Sequence, residues 1–274
     1  MALVTLTTDF GVRDPYVAEM KGVMLSLAPD IRFVDITHEV DSHDVVGAAL
    51  TLEAAISFFP EGTVHLAVVD PGVGTARRGL VVTTAVAAFV APDNGLLTPI
   101  FARNGWRAFE LVAPDLRLPR VSRTFHGRDV FAPAAAHLAR GVPPERFGPV
   151  VEDPVRLPWP DVHAVGGAVA GAVVHVDRFG NLITSIAADT IEPFGDEASI
   201  HIAGRYLPLV GTYADLAPGA AGALIGSTNR LEVAVREGNA AAVLRARRGT
   251  PVAVSRTTTA KAEARKRTKS RRNP

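Results

Sequence analysis

The feature that most constrains the fold is a change of rhythm at a proline-rich break. In "GPVVEDPVRLPWPDV" the residues Pro149, Pro154, Pro158 and Pro160 interrupt any sustained period. Before the break, β-branched runs alternate with helical ones. "ALVTLTTD" reads as a strand, and Asp14 with Pro15 reads as an N-cap and first helical residue ahead of Val17, Met20, Val23, Met24 and Leu27 at helical spacing. "IRFVDIT" is a second strand. Asp44 caps a helix over "VVGAALTLEAAISFF", stopped by Pro60, and "TVHLAVVD" is a third strand. Further strands are expected near 79–91, then a turn into a short helix at "DNGLL" and a longer helix over "GRDVFAPAAAHLARG" ending at Gly141. This alternation predicts an α/β sandwich around a mostly parallel sheet. After the break, "GGAVAGAVVHVD", "NLITSI", "ASIHIAG", "AGALIGS" and "RLEVAV" are short apolar runs separated by Gly, Pro, Asn or Asp, which predicts an antiparallel β-barrel. The expected organisation is an α/β catalytic domain over 1–155, a Pro-rich linker over 156–165, a β-barrel domain over 166–255 and a basic tail over 256–274.

Composition excludes several classes of function. No apolar run reaches the ~18 residues of a membrane span, so no membrane partner is expected. The absence of cysteine removes disulfides, thiolate nucleophiles and Cys-ligated zinc. "MALVTLTTDFG" opens as a strand with no basic leader ahead of it, so no signal peptide is expected and the cytoplasm is the expected compartment. Residues 256–274 carry eight Lys/Arg against one Glu, which leaves the rest of this chain of net charge +1 mildly acidic. Dense like charge with few apolar residues predicts a disordered tail. A solubilising extension and a nucleic-acid arm both remain open for it, and the core function is not expected to involve nucleic acid.

"VVDPGVGTARRG", residues 68–79, imitates two phosphate motifs and satisfies neither. Gly72 and Gly74 begin a G-x-G-x-x-G run, but Arg77 stands at its third glycine; Gly74 and Gly79 have P-loop spacing, but Leu80 and Val81 stand where Lys and Ser/Thr belong. The following "GLVVTT" reads as strand, so no helix N-terminus is there to receive a phosphate. What remains is an aspartate at the end of a buried strand with a guanidinium turned back toward it by a tight loop.

Ligands of open α/β sheets sit beyond the carboxyl ends of the strands. Asp9, Asp70, Asp93, Asn94, His126, Arg128 and Asp129 all fall in such places, although each alone is equally at home as a turn or cap. In "HVDRFGNLITS", Asp177, Phe179 and Asn181 flank Gly180. They read either as a hairpin turn or as a carboxylate, a ring and an amide suited to an adenosine with an amino-acid arm. The histidines show no H-E-x-x-H spacing and no G-x-S-x-G elbow exists, so neither a metal centre nor a serine hydrolase is expected.

"TLTTDFG", "YVAEMKGVM", "DPGVGTARR", "APDNGLLT", "TFHGRDVFAPAAAHLA", "DRFGNLITS" and "GSTNRLEVAVREGNAA", in that order from about residue 3 to about 245, resemble the adenosine-forming S-adenosylmethionine (SAM) hydrolases. This family, also called the SAM hydroxide adenosyltransferases, is related to the fluorinase and chlorinase. The resemblance implies an N-terminal α/β domain with a C-terminal β-barrel, a homotrimer with SAM held at the subunit interface, and no cofactor. It implies a catalytic set of Asp70, Arg77 and His126, with Asp9 on the ribose hydroxyls. It places Asp177 and Ser227 at the methionine portion, Phe179 and Asn181 at the adenine, and Glu232 and the Val235 backbone among the substrate contacts. Thr228, Asn229 and Arg230 depart from the family's usual run after the serine.

Such a reaction suits the residues. A sulfonium leaves as a neutral thioether, so attack at the ribose C5′ needs no general acid; it needs water activated by a base or a cation. A halide-transferring enzyme is the alternative within the resemblance. Halogenases carry a tyrosine where this chain has Asp70, and the fluorinase a serine at the place of Gly127. A carboxylate ~4 Å from a halide repels it by roughly 4 kcal/mol at an effective dielectric of 20, which favours water. A non-catalytic SAM or adenosine sensor is the alternative outside it, but gives no reason for Asp70, Arg77 and His126 together.

Overall fold

The computed structural model describes residues 2–159 and 161–257. The chain divides into two compact units, Met1–Leu157 and Pro158–Pro274. The basic tail from residue 258 onward lies outside the described residues.

In the first unit, β1 (Leu3–Thr8), β2 (Arg32–Thr37), β3 (Thr63–Val68), β4 (Gly79–Thr83), β5 (Ala87–Pro92) and β6 (Arg107–Glu110) form one sheet in the order β2-β1-β3-β5-β4-β6. β2, β1, β3 and β5 run parallel, and β4 pairs antiparallel with β5 and β6. Helices α1 (Tyr16–Leu27), α2 (Val45–Ile56), α3 (Thr98–Phe101) and α4 (Ala132–Ala139) complete the layers. Alternate residues of β3 explain the sandwich: Val64, Leu66 and Val68 pack with Met20 and Met24 of α1 and Ala134–Ala136 of α4, whereas Ala67 and Val69 pack with Ala48 and Leu52 of α2. Burial on both faces is why this strand reads as a continuous apolar run. Each fully buried Leu or Phe contributes about 1.5–3 kcal/mol.

Two local readings need correction. Asp44 caps α2 as expected, accepting from Gly47 N at 3.0 Å, but Asp14 does not cap α1. Pro15 itself is the N-cap, already in a helical conformation, and its carbonyl accepts the first intrahelical bond from Glu19 N. The helix expected over "GRDVFAPAAAHLARG" begins as a π turn, Gly127–Phe131, before α4. Pro133 has no N–H to give to the Asp129 carbonyl, which accepts from Leu118 N at 2.9 Å instead. The Pro-rich stretch is fastened to the first unit. Glu110 N donates to Pro149 O, Asp93 accepts Val155 N at 2.8 Å, and Thr98 accepts Leu157 N at 2.8 Å.

The second unit contains β7 (His163–Val165), β8 (Ala168–Val176), β9 (Leu182–Ala187), α5 (Ala188–Ile191), β10 (Ala198–Ile202), β11 (Arg205–Pro208), β12 (Ala221–Ile225), β13 (Arg230–Val235), α6 (Ala240–Leu244) and β14 (Pro251–Arg256). Its antiparallel order is β11-β10-β14-β8-β9-β13-β12, with β7 paired to β8. A bridge from Leu209 to Ala223 brings the two ends together, so the sheet is a nearly closed barrel. Val173, Leu182, Ile200, Leu231, Val233 and Val254 fill it.

Candidate active site

β1 lies between β2 and β3, so the chain changes direction across the sheet between β1 and β3, where a crevice opens past the strand ends. Asp9 and Asp70 follow these two strands. After Asp70 the backbone makes two consecutive turns, Val73 N to Asp70 O and Thr75 N to Gly72 O. The second requires Gly74, whose φ is +78° and whose missing Cβ would stand 2.4 Å from the Arg123 carbonyl oxygen. The chain thereby doubles back and sets Arg77 against Asp70. Arg77 Nε donates to Asp70 Oδ1 at 2.9 Å and Oδ2 at 3.0 Å, Nη2 donates to Oδ2, and the guanidinium lies 5.1 Å from the Phe131 ring centre. The two side chains are 5% and 12% exposed, so the pair is far less screened than a surface ion pair.

Arg77 Nη2 also lies 2.9 Å from His126 Nδ1. A guanidinium has only donors, so Nδ1 accepts and a neutral imidazole carries its proton on Nε2. Burial, and then the Arg77 charge, push the His126 pKa down, against the opposing pull of Asp70 and Asp129. His126 in this state is a donor through Nε2. Of the three, Asp70 is the group with oxygen lone pairs to receive a proton.

Asp70 and His126 line a cavity of about 400 Å³ whose other walls include Phe10, Tyr16, Glu19, Val73 and Phe125. Phe10, Tyr16 and Phe125 pack edge to face, with centroids 5.2–6.1 Å apart. The backbone of Gly127 meets this wall closely: a Cβ there would come within 3.2 Å of Phe125 and 3.3 Å of Phe10.

The remaining strand-end polar residues have different partners. Asp9 is half-buried and accepts from His43 N at 2.9 Å. Asn94 donates to Val69 O at 2.9 Å and so buttresses the strand end that carries Asp70. Asp93 is committed to Arg78, whose Nε donates to it at 2.7 Å while Nη1 reaches Asp153 at 2.8 Å. The adjacent arginines thus do different work, Arg77 between Asp70 and His126 and Arg78 under the Pro-rich strap.

In the second unit Asp177 organises its own turn, Oδ1 accepting from Phe179 N and Asn181 N and Oδ2 from Asn181 Nδ2 at 3.0 Å. Gly180, at φ +84°, lets this turn close on Asn239. Phe179 is 75% exposed and Asn181 is buried. Ser227 is exposed in the turn between β12 and β13. Glu232 is buried on β13 and accepts from Tyr213 Oη at 2.5 Å; burial pushes its pKa up, the Tyr213 hydrogen bond opposes, and Asp177 adds to the rise. Val235 ends β13, its carbonyl accepting from Gly238 N. Tyr213, Tyr16 and Glu19 carry no individual signal in the sequence. Only the side chains they meet distinguish them from ordinary surface positions.

Among the described residues no group of three or more His, Cys, Asp or Glu is placed to hold a metal ion, and no helix is long and apolar enough to cross a membrane. Family models for the SAM hydroxide adenosyltransferase N-terminal and C-terminal domains match residues 4–148 and 171–253. The chain belongs to this family. It is 42% identical over 267 residues to an "(R)-S-adenosyl-L-methionine hydrolase" of Thermus thermophilus, covering 92% of this chain and 99% of that one. A crystal structure of an uncharacterized conserved protein from Thermotoga maritima matches with a TM-score of 0.86 and 34% identity, covering 92% of this chain and 100% of that one. A fluorinase of Nocardia brasiliensis is 31% identical over 85% of this chain and 89% of its own.

Proposed function

We propose that this protein hydrolyses S-adenosyl-L-methionine to adenosine and L-methionine by attack of water on the ribose C5′. One observation carries the reading: Asp70 and His126 line a cavity, and Arg77 bridges the Asp70 carboxylate and the Nδ1 of His126. Relatives named as SAM hydrolases support it. Those names specify the (R) sulfonium epimer, and we extend that handedness to this chain.

In this mechanism the C5′–S bond breaks with its electron pair going to sulfur, a C5′–O bond forms from water, and the water proton passes to Asp70 and then to solvent. His126 Nε2–H orients the water oxygen, and Arg77 pairs with the Asp70 carboxylate and holds the imidazole in the required tautomer. The reaction removes a sulfonium charge without creating another on the product, so a pocket poor in water favours it. Asp9 binds the ribose hydroxyls; Asp177 and Ser227 bind the methionine portion, Phe179 and Asn181 the adenine, with Glu232 and the Val235 backbone beside them. The protein acts as a cytoplasmic homotrimer in which neighbouring subunits share each substrate, and it uses no cofactor or metal.

The test is incubation with each sulfonium epimer and chloride in ¹⁸O-labelled water, with products resolved by mass. Adenosine labelled at O5′ with free methionine, faster from the (R) epimer, is the expected result. Comparable formation of 5′-chloro-adenosine overturns the choice of nucleophile, and bound but unconsumed SAM turns the assignment to a sensor.

A further inference from the structure

We propose that Glu19, Arg128 and Asp129 form a positioning network that holds His126 against Arg77, so that a residue of α1 controls the chemical step. The inference rests on the hydrolase reading above and adds to it three residues that act through His126.

Arg128 and Asp129 sit in the π turn that follows His126, and Glu19 sits in the first turn of α1. The Arg128 guanidinium is divided three ways: Nε to Asp129 Oδ1 at 2.6 Å, Nη2 to Asp129 Oδ2 at 3.1 Å, and Nη1 to Glu19 Oε2 at 2.7 Å. Its centre lies 5.0 Å from the Phe125 ring centre, so it braces the residue immediately before His126. Asp129, with a side chain 1% exposed, reaches the same segment from both sides. Its Oδ2 accepts Ser122 N at 2.7 Å, and its backbone N donates to Phe125 O at 3.2 Å. Residues 122–125, which lead into His126, are therefore stapled at each end by one buried carboxylate residue, and that carboxylate is set by Arg128.

Asp129 and Glu19 differ in what their loss costs. A buried carboxylate stripped of its partner is strongly destabilising. The Glu19–Arg128 pair is about one-third exposed on both sides, where an ion pair contributes little to stability. Glu19 thus fixes the direction of Arg128 without being needed for folding. Because its effect is on geometry, its removal separates turnover from stability.

The experiment compares the intact protein with Glu19→Ala and Glu19→Gln in steady-state kinetics, thermal melting and imidazole ¹⁵N titration of His126 without substrate. The charged groups acting on that imidazole are Arg77, Asp70, Asp129 and Arg117. Glu19→Ala is expected to lower kcat roughly ten- to a hundredfold, the scale of a misplaced catalytic group, with KM changed less than about twofold. Its melting temperature stays within about 4 °C of wild type, the shift that goes with roughly 1 kcal/mol. The His126 titration moves up toward ordinary histidine as the Arg77 contact loosens. Glu19→Gln keeps an acceptor for Nη1 and restores most of kcat. An unchanged kcat, a loss confined to KM, equal losses in both variants or an unmoved titration overturns the proposal. The titration needs no turnover, so a wild type that releases no adenosine refutes the hydrolase reading while leaving the network decidable.

Discussion

Replacing Gly74 by alanine tests whether the loop after β3 is an instrument of catalysis or a mere connection. The residue has φ +78°, which costs an L side chain roughly 1–2 kcal/mol. The added methyl would meet the Arg123 carbonyl oxygen at 2.4 Å, against an ordinary contact of about 3.5 Å, so one backbone must retreat by about 1 Å. Either retreat disturbs the site. Moving the loop displaces Arg77, three residues on, and moving Arg123 displaces the segment that carries His126. A displacement of that size costs on the order of a hundredfold in turnover, while 1–2 kcal/mol lowers the melting temperature by roughly 2–8 °C in a unit of this size. Adenosine release measured by chromatography, alongside thermal melting monitored by circular dichroism, gives both numbers on one preparation. Wild-type turnover in a Gly74→Ala protein that melts normally would refute the argument, because it would mean that neither the handedness nor the close approach positions the reacting groups.

Asp70→Asn preserves shape but removes the proton acceptor and leaves Arg77 without its counter-charge; kcat should fall by roughly 10²–10⁴, and an unchanged rate of adenosine release would refute the assignment of Asp70 as base. His65, 1% exposed and 2.8 Å from Thr5 Oγ1, has its pKa pushed down by burial to about 4. The folded protein therefore takes up this proton at lower pH than the unfolded chain. Its stabilising contribution is complete above about pH 6.5 and is lost as pH falls through about 4, a change of about 3 kcal/mol. Urea unfolding at pH 7 and pH 4 should show this loss diminished in His65→Gln; equal acid losses in both proteins would refute it.

The strand ends bearing Asp9 and Asp70 are legible in the sequence because β1 and β3 are buried on both faces and their β-branched runs stop where the polar residues begin. Asp44 is legible for a similar local reason, an oxygen one residue before an apolar helix. The π turn is not, since it depends on Pro133 withholding a donor and on Leu118, distant in sequence, supplying one. β6, β11 and β14 also escape detection: "RAFE", "RYLP" and "PVAVSR" are short, and only their neighbours make strands of them. The division of labour between Arg77 and Arg78 lies deeper still. Two identical side chains in sequence acquire opposite fates from Asp70 on one side and Asp93 on the other. Asp93 itself, a plausible ligand group by its place after a strand, proves to be a tether for Arg78 and for Val155 N.

The close fit of Gly127 against Phe10 and Phe125 bears on what this position can accept. The first atom of any side chain at this position meets two aromatic rings a few tenths of an ångström inside ordinary contact. A serine or alanine fits there only as far as those rings give by that amount. The glycine and the aromatic wall therefore constrain each other, and a change at either is felt at the turn that follows His126.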